Sequence, residues 1–382
     1  MHLESLKYTQ MENTPCEWNL EDCTFGKINL IVGKNATGKS RIIGAIKALA
    51  DLFSFYPVLP FTDISNYLVK FDNNHKKTSY KLRYENKKIT EELIVIGKKI
   101  MLKRGDNGKG KIRAAQLKRF MDFQVSDDKI AVSAKRDQIQ HNFLEDWYNW
   151  GKDLRFYPFS TYLGKDHVLL GSSDEISSNE KINLRDPNQV VTIFKKGQEE
   201  FKDEFTNLVK SDMEKIDFKI ENIKIDNQIL TIPKINNSSL KGFIVKENNL
   251  ECPIEQSAIS QGMFRTLSLL IQWNYFNLSK NLPSCILIDD IGEGLDYDRA
   301  SSLIKLLIEK IKETDTQLIM TTNDRFVMNN VPLEYWSVIQ RSVNKSKIYN
   351  YRNSKEIFDK FNYTGLNNFD FFSSEYYIKK GE

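Results

Sequence analysis

Apolar residues recur with two different periods along this chain, and the switches between them mark its organisation. Residues 3–8 and 17–32 read as strands, the second ending in the apolar, β-branched run Lys27-Ile28-Asn29-Leu30-Ile31-Val32 expected of a buried strand. Ile42, Ile43, Ile46, Leu49, Ala50 and Phe53 then fall on one helical face. Residues 64–104 alternate as a β-meander, with Tyr67-Leu68-Val69-Lys70-Phe71, Ser79-Tyr80-Lys81-Leu82-Arg83-Tyr84, Glu92-Leu93-Ile94-Val95-Ile96 and Lys99-Ile100-Met101-Leu102 separated by Asn/Lys/Gly turns. A loop at 105–111, a helix over 112–122 and a strand near 129–134 are expected next. Residues 135–180 are mixed, with Trp147, Trp150, Phe156, Tyr157 and Phe159 among polar neighbours. A helix is expected from residue 186 to about 215, then short strands at 218–226, 228–232, 242–246 and 250–254. The last third alternates helix 261–279, strand 285–288, helix 298–313 and strand 317–321. Apolar strands alternating with helices predict a parallel sheet covered on both faces. There is no internal repeat and no long heptad array.

Composition narrows the class without naming it. The 382 residues are 40% hydrophobic and 28% charged, which is globular and long enough for two or three structural units. The net charge of +4 is too mild to demand nucleic acid. Cys16, Cys23, Cys252 and Cys285 show no C-x-x-C spacing and read as reduced thiols, with Cys285 in the core. The first residues lack a signal-peptide pattern and no apolar stretch approaches bilayer length, so a cytoplasmic location without membrane contact is expected. Charge is unevenly spread: Lys87, Lys88, Lys98, Lys99, Lys103, Arg104, Lys109, Lys111, Arg113, Lys118 and Arg119 face only Glu91, Glu92 and Asp106 in sequence. That run reads as a solvated hairpin face or a surface for phosphate-rich partners.

Chemistry enters at Gly33-Lys34-Asn35-Ala36-Thr37-Gly38-Lys39-Ser40, which satisfies the P-loop pattern G-x-x-x-x-G-K-[ST] between an expected strand and an expected helix. The loop amides and the helix N-terminus would surround a polyphosphate, with Arg41 completing the binding set. Lys39 would reach the β- and γ-phosphates and Ser40 would hold Mg²⁺. Cys285-Ile286-Leu287-Ile288-Asp289-Asp290 is an apolar strand ending in two carboxylates, the Walker B arrangement. Asp289 is the expected Mg²⁺ ligand, acting through water, and Asp290 the residue orienting the attacking water. The chain is expected to bind ATP with Mg²⁺.

Ile259-Ser260-Gln261-Gly262-Met263-Phe264-Arg265 opens an apolar-faced helix ahead of this strand, and Glu293-Gly294-Leu295-Asp296 follows it. Together they resemble the signature motif and D-loop of ABC-type ATPases, and the order of P-loop, long insertion, signature, Walker B and D-loop is also theirs. Within that class the chain looks like the RecF/SMC/OLD-like branch common in bacterial genome maintenance and anti-phage defence. The pattern at Ile31-Val32-Gly33-Lys34-Asn35 and the tail Tyr363-Thr364-Gly365-Leu366-Asn367-Asn368-Phe369-Asp370 add to the likeness, which covers roughly 1–53 and 255–330. It implies an α/β P-loop NTPase, an ABC-ATPase head with a mixed sheet, a β-meander and a helical insertion. Residues 1–134 would form ATPase lobe I and 135–185 the insertion with the Q-loop region. Residues 186–330 would form lobe II, and 331–382 an aromatic-rich tail packed on the core or a partner.

The resemblance further implies that two copies trap ATP between the P-loop of one and the signature of the other. Ser260 and the Gly262 amide, with Gln261 beside them, would meet a γ-phosphate held by the partner's Lys39, and Asp296 would belong to the same interface. Gln138 or Gln140, after the strand at 129–134, is the candidate Mg²⁺-sensing glutamine. Three positions depart from the family pattern. Ala36 stands where many relatives have glycine, which is tolerable with a negative φ. Asp290 replaces the usual glutamate, and Asn323 replaces a switch histidine that none of the four histidines supplies. Slow hydrolysis is expected, with Glu293 the less favoured substitute base.

The expected function is a slow ATPase that senses or regulates a separate effector, such as a nuclease, in phage defence; no nuclease constellation follows residue 330. The last fifty residues and the 135–180 insertion are the expected docking places. The alternative is a RecF-like repair ATPase with DNA on the bases of 87–119. A transporter subunit lacks an obvious coupling surface, and a structural protein leaves the P-loop unexplained.

Overall fold

The computed structural model describes residues 1–54, 64–73, 75–171, 182–228 and 239–378. The chain opens with β1 (His2–Gln10), β2 (Trp18–Thr24), β3 (Ile28–Val32) and α1 (Lys39–Ser54). A meander follows: β4 (Ile64–Asn73), β5 (Lys76–Glu85), β6 (Lys88–Ile96), β7 (Lys99–Arg104), β8 (Lys109–Ala114) and β9 (Arg119–Gln124). Next come α2 (Ala131–Ala134), α3 (Phe143–Lys152), β10 (Leu154–Pro158), β11 (Leu169–Gly171), α4 (Val190–Glu214), β12 (Ile220–Asn227), β13 (Ser239–Glu247) and β14 (Ile254–Glu255). The remainder is α5 (Gln261–Leu278), β15 (Cys285–Asp289), α6 (Tyr297–Lys312), β16 (Gln317–Thr322), α7 (Arg325–Asn330), β17 (Trp336–Ser342), β18 (Lys345–Asn350), α8 (Lys355–Asn362) and α9 (Asn368–Ser373).

Fourteen strands form one mixed sheet in the order β10-β15-β16-β3-β17-β18-β2-β1-β4-β5-β6-β7-β8-β9. From β10 to β17 every pairing is parallel, and from β2 to β9 every pairing is antiparallel. Alternate residues of the parallel strands enter two different cores, as a period of two requires. Leu30, Ile286, Ile288, Leu318 and Met320 join α4, α5 and α6 on one face, while Ile31, Leu287 and Ile319 join α1 and α3 on the other. The α/β P-loop NTPase fold with both faces of its parallel strands covered is therefore present. Among the described residues no helix is long and apolar enough to cross a membrane.

Four expected elements differ. The helix over 112–122 is instead the β8–β9 hairpin. Its Ala, Gln, Leu, Lys and Arg favour helix, but Ile112 faces Leu102 across the ladder and is 1% exposed, so pairing overrides propensity. The strand near 129–134 is α2. Buried Glu92, from β6, supplies the reason: both its carboxylate oxygens accept from the Ala131 amide at 2.9 and 2.8 Å, satisfying donors that a strand would have placed elsewhere. Arg104, also buried, lies 3.4 Å from Glu92 and donates to the carbonyls of Lys129 and Ser126, locking the segment down. Burial pushes the Glu92 carboxyl above its ordinary pKa. At 250–254 only the end pairs, as β14, and the strand expected at 228–232 lies almost wholly outside the described residues.

The fourth difference is in α4, which is not one straight rod. At Lys202 the backbone leaves helical space (φ 51°, ψ −132°) and the chain reverses. Phe194 and Phe205, roughly 16 Å apart along a continuous helix, have ring centroids 5.6 Å apart. A Cβ on Gly197 would lie 2.4 Å from the Phe205 ring, so the two halves touch where glycine has no side chain.

Candidate nucleotide site

Sheet order decides which residues meet. β3, β16 and β15 are consecutive parallel neighbours, so the loop after β3, Asn323 after β16 and the aspartates of β15 emerge at one edge. The loop between β3 and α1 is closely packed: a Cβ on Gly33 would lie 2.5 Å from the Ile339 side chain. Thr37 is buried and its hydroxyl donates to the Lys34 carbonyl at 2.8 Å. Lys34, Asn35 and Ala36 are exposed at the rim. Lys34 forms an ion pair with Glu375 at 2.6 Å, and Arg41 lies over the buried Trp18 ring at 5.4 Å.

The expectation of a negative φ at Ala36 is overturned. Its φ is +62°, the left-handed region, where a Cβ costs roughly 1–2 kcal/mol relative to glycine. The loop keeps that geometry because its neighbours fix it, with Arg341 donating to the Ala36 carbonyl at 3.1 Å.

Lys39 is 6% exposed, and its ammonium donates to the carbonyls of Gly33 (2.8 Å) and Lys34 (3.2 Å). Burial lowers its pKa, while Asp290 and Asp289 act in the opposite direction. The Ser40 hydroxyl donates to Asp289 Oδ1 at 3.2 Å. The Thr321 hydroxyl, fully buried at the end of β16, donates to the same oxygen at 2.5 Å and accepts from the Asp290 amide at 2.9 Å. One side chain thus fixes both aspartates. The sequence reading passed over Thr321, and its only signal is a position one residue before the end of a strand that borders Walker B.

Asp290 sits at φ +56°, also left-handed. Asp and Asn are several-fold enriched there over other non-glycine residues, which gives a backbone reason for aspartate at this position. Burial and the neighbouring Asp289 push its carboxyl above the ordinary range, with Lys39 opposing. Ser40 and Asp289 present hard oxygens at the loop, and Mg²⁺ prefers few protein ligands plus water and phosphate, so the donor set fits that ion. Among the described residues no cluster of three or more His, Cys, Asp or Glu forms another metal site.

A second group of residues assembles on α5. Ser260 caps the helix, its hydroxyl accepting from the Met263 amide at 3.3 Å, and it is exposed. Gly262 is buried against the loop after β15; a Cβ there would lie 2.1 Å from the Gly294 carbonyl oxygen. Arg265, 7% exposed, donates to the carbonyl of Thr161 at 3.0 Å and to that of Glu293 at 2.9 Å. Gln261 donates to the Thr161 carbonyl as well. Glu293 has its side chain exposed, and Asp296 caps α6 by accepting from the Arg299 amide at 3.0 Å. Asn323 is exposed. Among the described residues no hydrogen bond or ion pair joins Ser260, Gln261 or Gly262 to Lys39.

The premise for Gln138 or Gln140 fails, because the expected strand at 129–134 is the short helix α2. Gln138 is exposed in the turn after α2, and Gln140 is tied to the β8–β9 hairpin through Gln116 (3.1 Å) and the Ala115 amide (2.9 Å). The strand bordering Walker B on its outer side is β10, with Pro158 in register with Asp289 and the Phe159 amide donating to the Asp289 carbonyl at 2.9 Å. Ser160 and Thr161, both exposed, follow that strand where a glutamine was sought.

Over residues 28–324 the chain matches the protein family described as "AAA domain, putative AbiEii toxin, Type IV TA system". Its fold is similar to an SMC head crystallised with the C-terminal winged-helix domain of ScpA, at 14% identity and a TM-score of 0.50, covering 91% of this chain and 97% of that one. An SMC head with an extended coiled coil from Pyrococcus furiosus, bound to the C-terminal domain of ScpA, gives 14% identity and 0.48 over 94% and 99% of the two chains. The SMC head domain from Thermotoga maritima gives 14% and 0.44 over 92% and 99%. No curated protein matches the sequence.

Proposed function

We infer that this chain, which belongs to the AbiEii toxin-like AAA-domain family and has the ABC-type ATPase head of the SMC and RecF class, binds ATP between two copies of itself and hydrolyses it slowly. Acting in the cytoplasm, the nucleotide-closed pair would regulate a separate effector, such as a nuclease, in phage defence. The observation that carries the reading is the division of the site within one chain. Lys39, Ser40, Asp289 and Asp290 gather around the P-loop, while exposed Ser260 caps the helix whose Gly262 and Arg265 hold the Glu293–Asp296 loop, and among the described residues no hydrogen bond or ion pair joins it to Lys39. A second copy facing the first would complete both halves, with the γ-phosphate as the shared contact.

Lys39 and the α1 amides would neutralise the phosphates. Ser40 and Asp289 would hold Mg²⁺, which when bound supplies charge compensation at the phosphate oxygens. Asp290 would align water, and its short side chain in a left-handed backbone supports slow turnover. Asn323 would donate a neutral hydrogen bond to the γ-phosphate. The defence part of the reading draws on the family's printed description, "putative AbiEii toxin, Type IV TA system".

Light scattering after size exclusion tests this. With ATP and Mg²⁺ the wild type should elute as a dimer, Ser260→Arg should bind ATP yet remain monomeric, and Lys39→Ala should do neither. A wild type that stays monomeric at saturating ATP sinks the proposal.

A further inference from the structure

Behind the nucleotide loop, three groups from distant parts of the chain form a relay. The Trp18 indole nitrogen donates to the Ser346 hydroxyl at 2.9 Å, and that hydroxyl donates to the Thr37 carbonyl at 2.9 Å. Trp18 and Ser346 are both fully buried. The direction of the relay is forced: an indole N–H can only donate and a carbonyl can only accept, so the serine proton lies towards Thr37. Trp18 also presses on the next residue, since a Cβ on Gly38 would lie 2.7 Å from its ring. Thr37 stands between two residues of positive φ, Ala36 at +62° and Gly38 at +111°. Local preference does not hold such a segment, so its orientation is set by what it touches. Arg341 and Ser346, one from each strand of the β17–β18 hairpin, take the carbonyls of Ala36 and Thr37 in turn.

We propose that Ser346 is a positioning residue for the nucleotide: its bond to Thr37 aims the Gly38 amide at a bound phosphate. A trans peptide is planar, with its N–H and C=O on opposite sides. Holding the Thr37 carbonyl back against β18 therefore turns the Gly38 N–H away from β18, towards the inside of the loop. Among the described residues that amide has no hydrogen-bond partner, which leaves the donor to an anionic ligand. Ser346 itself touches no phosphate and acts through the peptide. Without its hydroxyl the Thr37 carbonyl and the Trp18 nitrogen both lose a buried partner, and the peptide is released to turn. The proposal rests on the ATP-binding part of the reading above and is independent of pairing and of hydrolysis.

The test measures ADP binding to the full chain by calorimetry, because ADP requires neither a second copy nor hydrolysis. Ser346→Ala should weaken ADP and ATP by the same factor, about tenfold for one misdirected donor to a charged oxygen. Ser346→Cys, which fills the same space with a weaker donor, should show a smaller loss of the same kind and stands in if the alanine variant does not fold. The control is Ser337→Ala, which removes another buried hydroxyl of the same hairpin, one 3.5 Å from the Asn350 side-chain nitrogen and not bonded to the loop. It should bind ADP as wild type does, and melting curves establish that each variant is folded at the assay temperature. In steady-state phosphate release Ser346→Ala should raise KM for ATP and leave kcat within about twofold, since Ser40, Asp289 and Asp290 keep their bonds. A wild type that takes up ADP yet stays monomeric with ATP would end the paired reading and leave this one standing. No ADP uptake by the wild type, unchanged affinity in a folded Ser346 variant, an equal loss in Ser337→Ala, or a fall in kcat at constant KM would each overturn the proposal.

Discussion

Replacing Thr321 by valine keeps the shape of a fully buried side chain and deletes a hydroxyl that both Walker B aspartates use. The Asp290 amide would lose its partner, an omission worth about 1–3 kcal/mol for a buried donor. Asp289 would lose a charge-assisted bond of about 1.5–3 kcal/mol, part of which solvent at the half-buried carboxylate restores. The sum is about 3 kcal/mol. With a melting entropy of about 2.1 cal/mol/K per residue over 382 residues, or roughly 0.8 kcal/mol/K, that lowers Tm by about 4 °C. Phosphate release should fall at least ~10-fold, because both carboxylates lose their alignment while the P-loop is untouched. Affinity for a fluorescent ATP analogue should stay within about twofold, since Lys39 and the loop amides remain. Thr321→Ser should restore most of the rate. A valine variant that melts with the wild type and releases phosphate at full speed would refute the reasoning.

Four further outcomes follow from the residues around the loop. Burial and Asp289 raise the Asp290 carboxyl in the folded state, so the proton is held more tightly there than in the unfolded chain, and stability falls as pH rises through the folded pKa. Asp290→Asn, which tolerates the same backbone, should therefore raise Tm at pH 7.5, with the gain fading towards pH 4; a gain that persists in acid contradicts this. Asp290→Glu should raise turnover while costing about 1 kcal/mol in the left-handed backbone, and a fast wild-type rate indifferent to Asp290→Ala would end the slow-hydrolysis account. Ala36→Gly should bind ATP at least as well as wild type, whereas Ala36→Val at φ +62° should lose binding; calorimetry decides, and equal affinities would exclude strain at this position. Arg265→Ala removes the side-chain donor of the Glu293 carbonyl and leaves the Thr161 carbonyl with Gln261 alone, and Arg265→Lys cannot span both. Both variants should keep ATP binding but lose ATP-dependent dimerisation in light scattering, and undiminished dimerisation in either would show that the two bonds are dispensable.

Much of this architecture was legible because it is local. The strand–loop–helix at 28–54 and the strands at 285–289 and 317–322 carry their own periodicity and end signals. What escaped depends on distant partners. Residues 129–134 read as a strand, and Glu92, almost forty residues earlier, holds the amides of the helix that forms there instead. The reversal at Lys202 carries neither Gly nor Pro at the turn itself, so the helical period runs through it uninterrupted. The search for a glutamine at 138 or 140 followed sequence order, whereas the position beside Asp289 is assigned by the partner of β15 in the sheet. The left-handed φ of Ala36 and Asp290 is likewise invisible in residue type, because neither is glycine.

The doubled-back α4 has a mechanical consequence. Its two arms, each roughly 18 Å long, are fastened to the helix that Ser260 heads: Asn274 to Asp212 at 2.8 Å and the Tyr275 hydroxyl to Glu200 at 3.1 Å. Because Glu200 stands two residues from it, the exposed bend at Lys202 would follow any roll of that helix directly. A spectroscopic label or a grafted module at that bend would convert events at the triphosphate into displacement far from the chemistry, leaving both hydrophobic layers undisturbed.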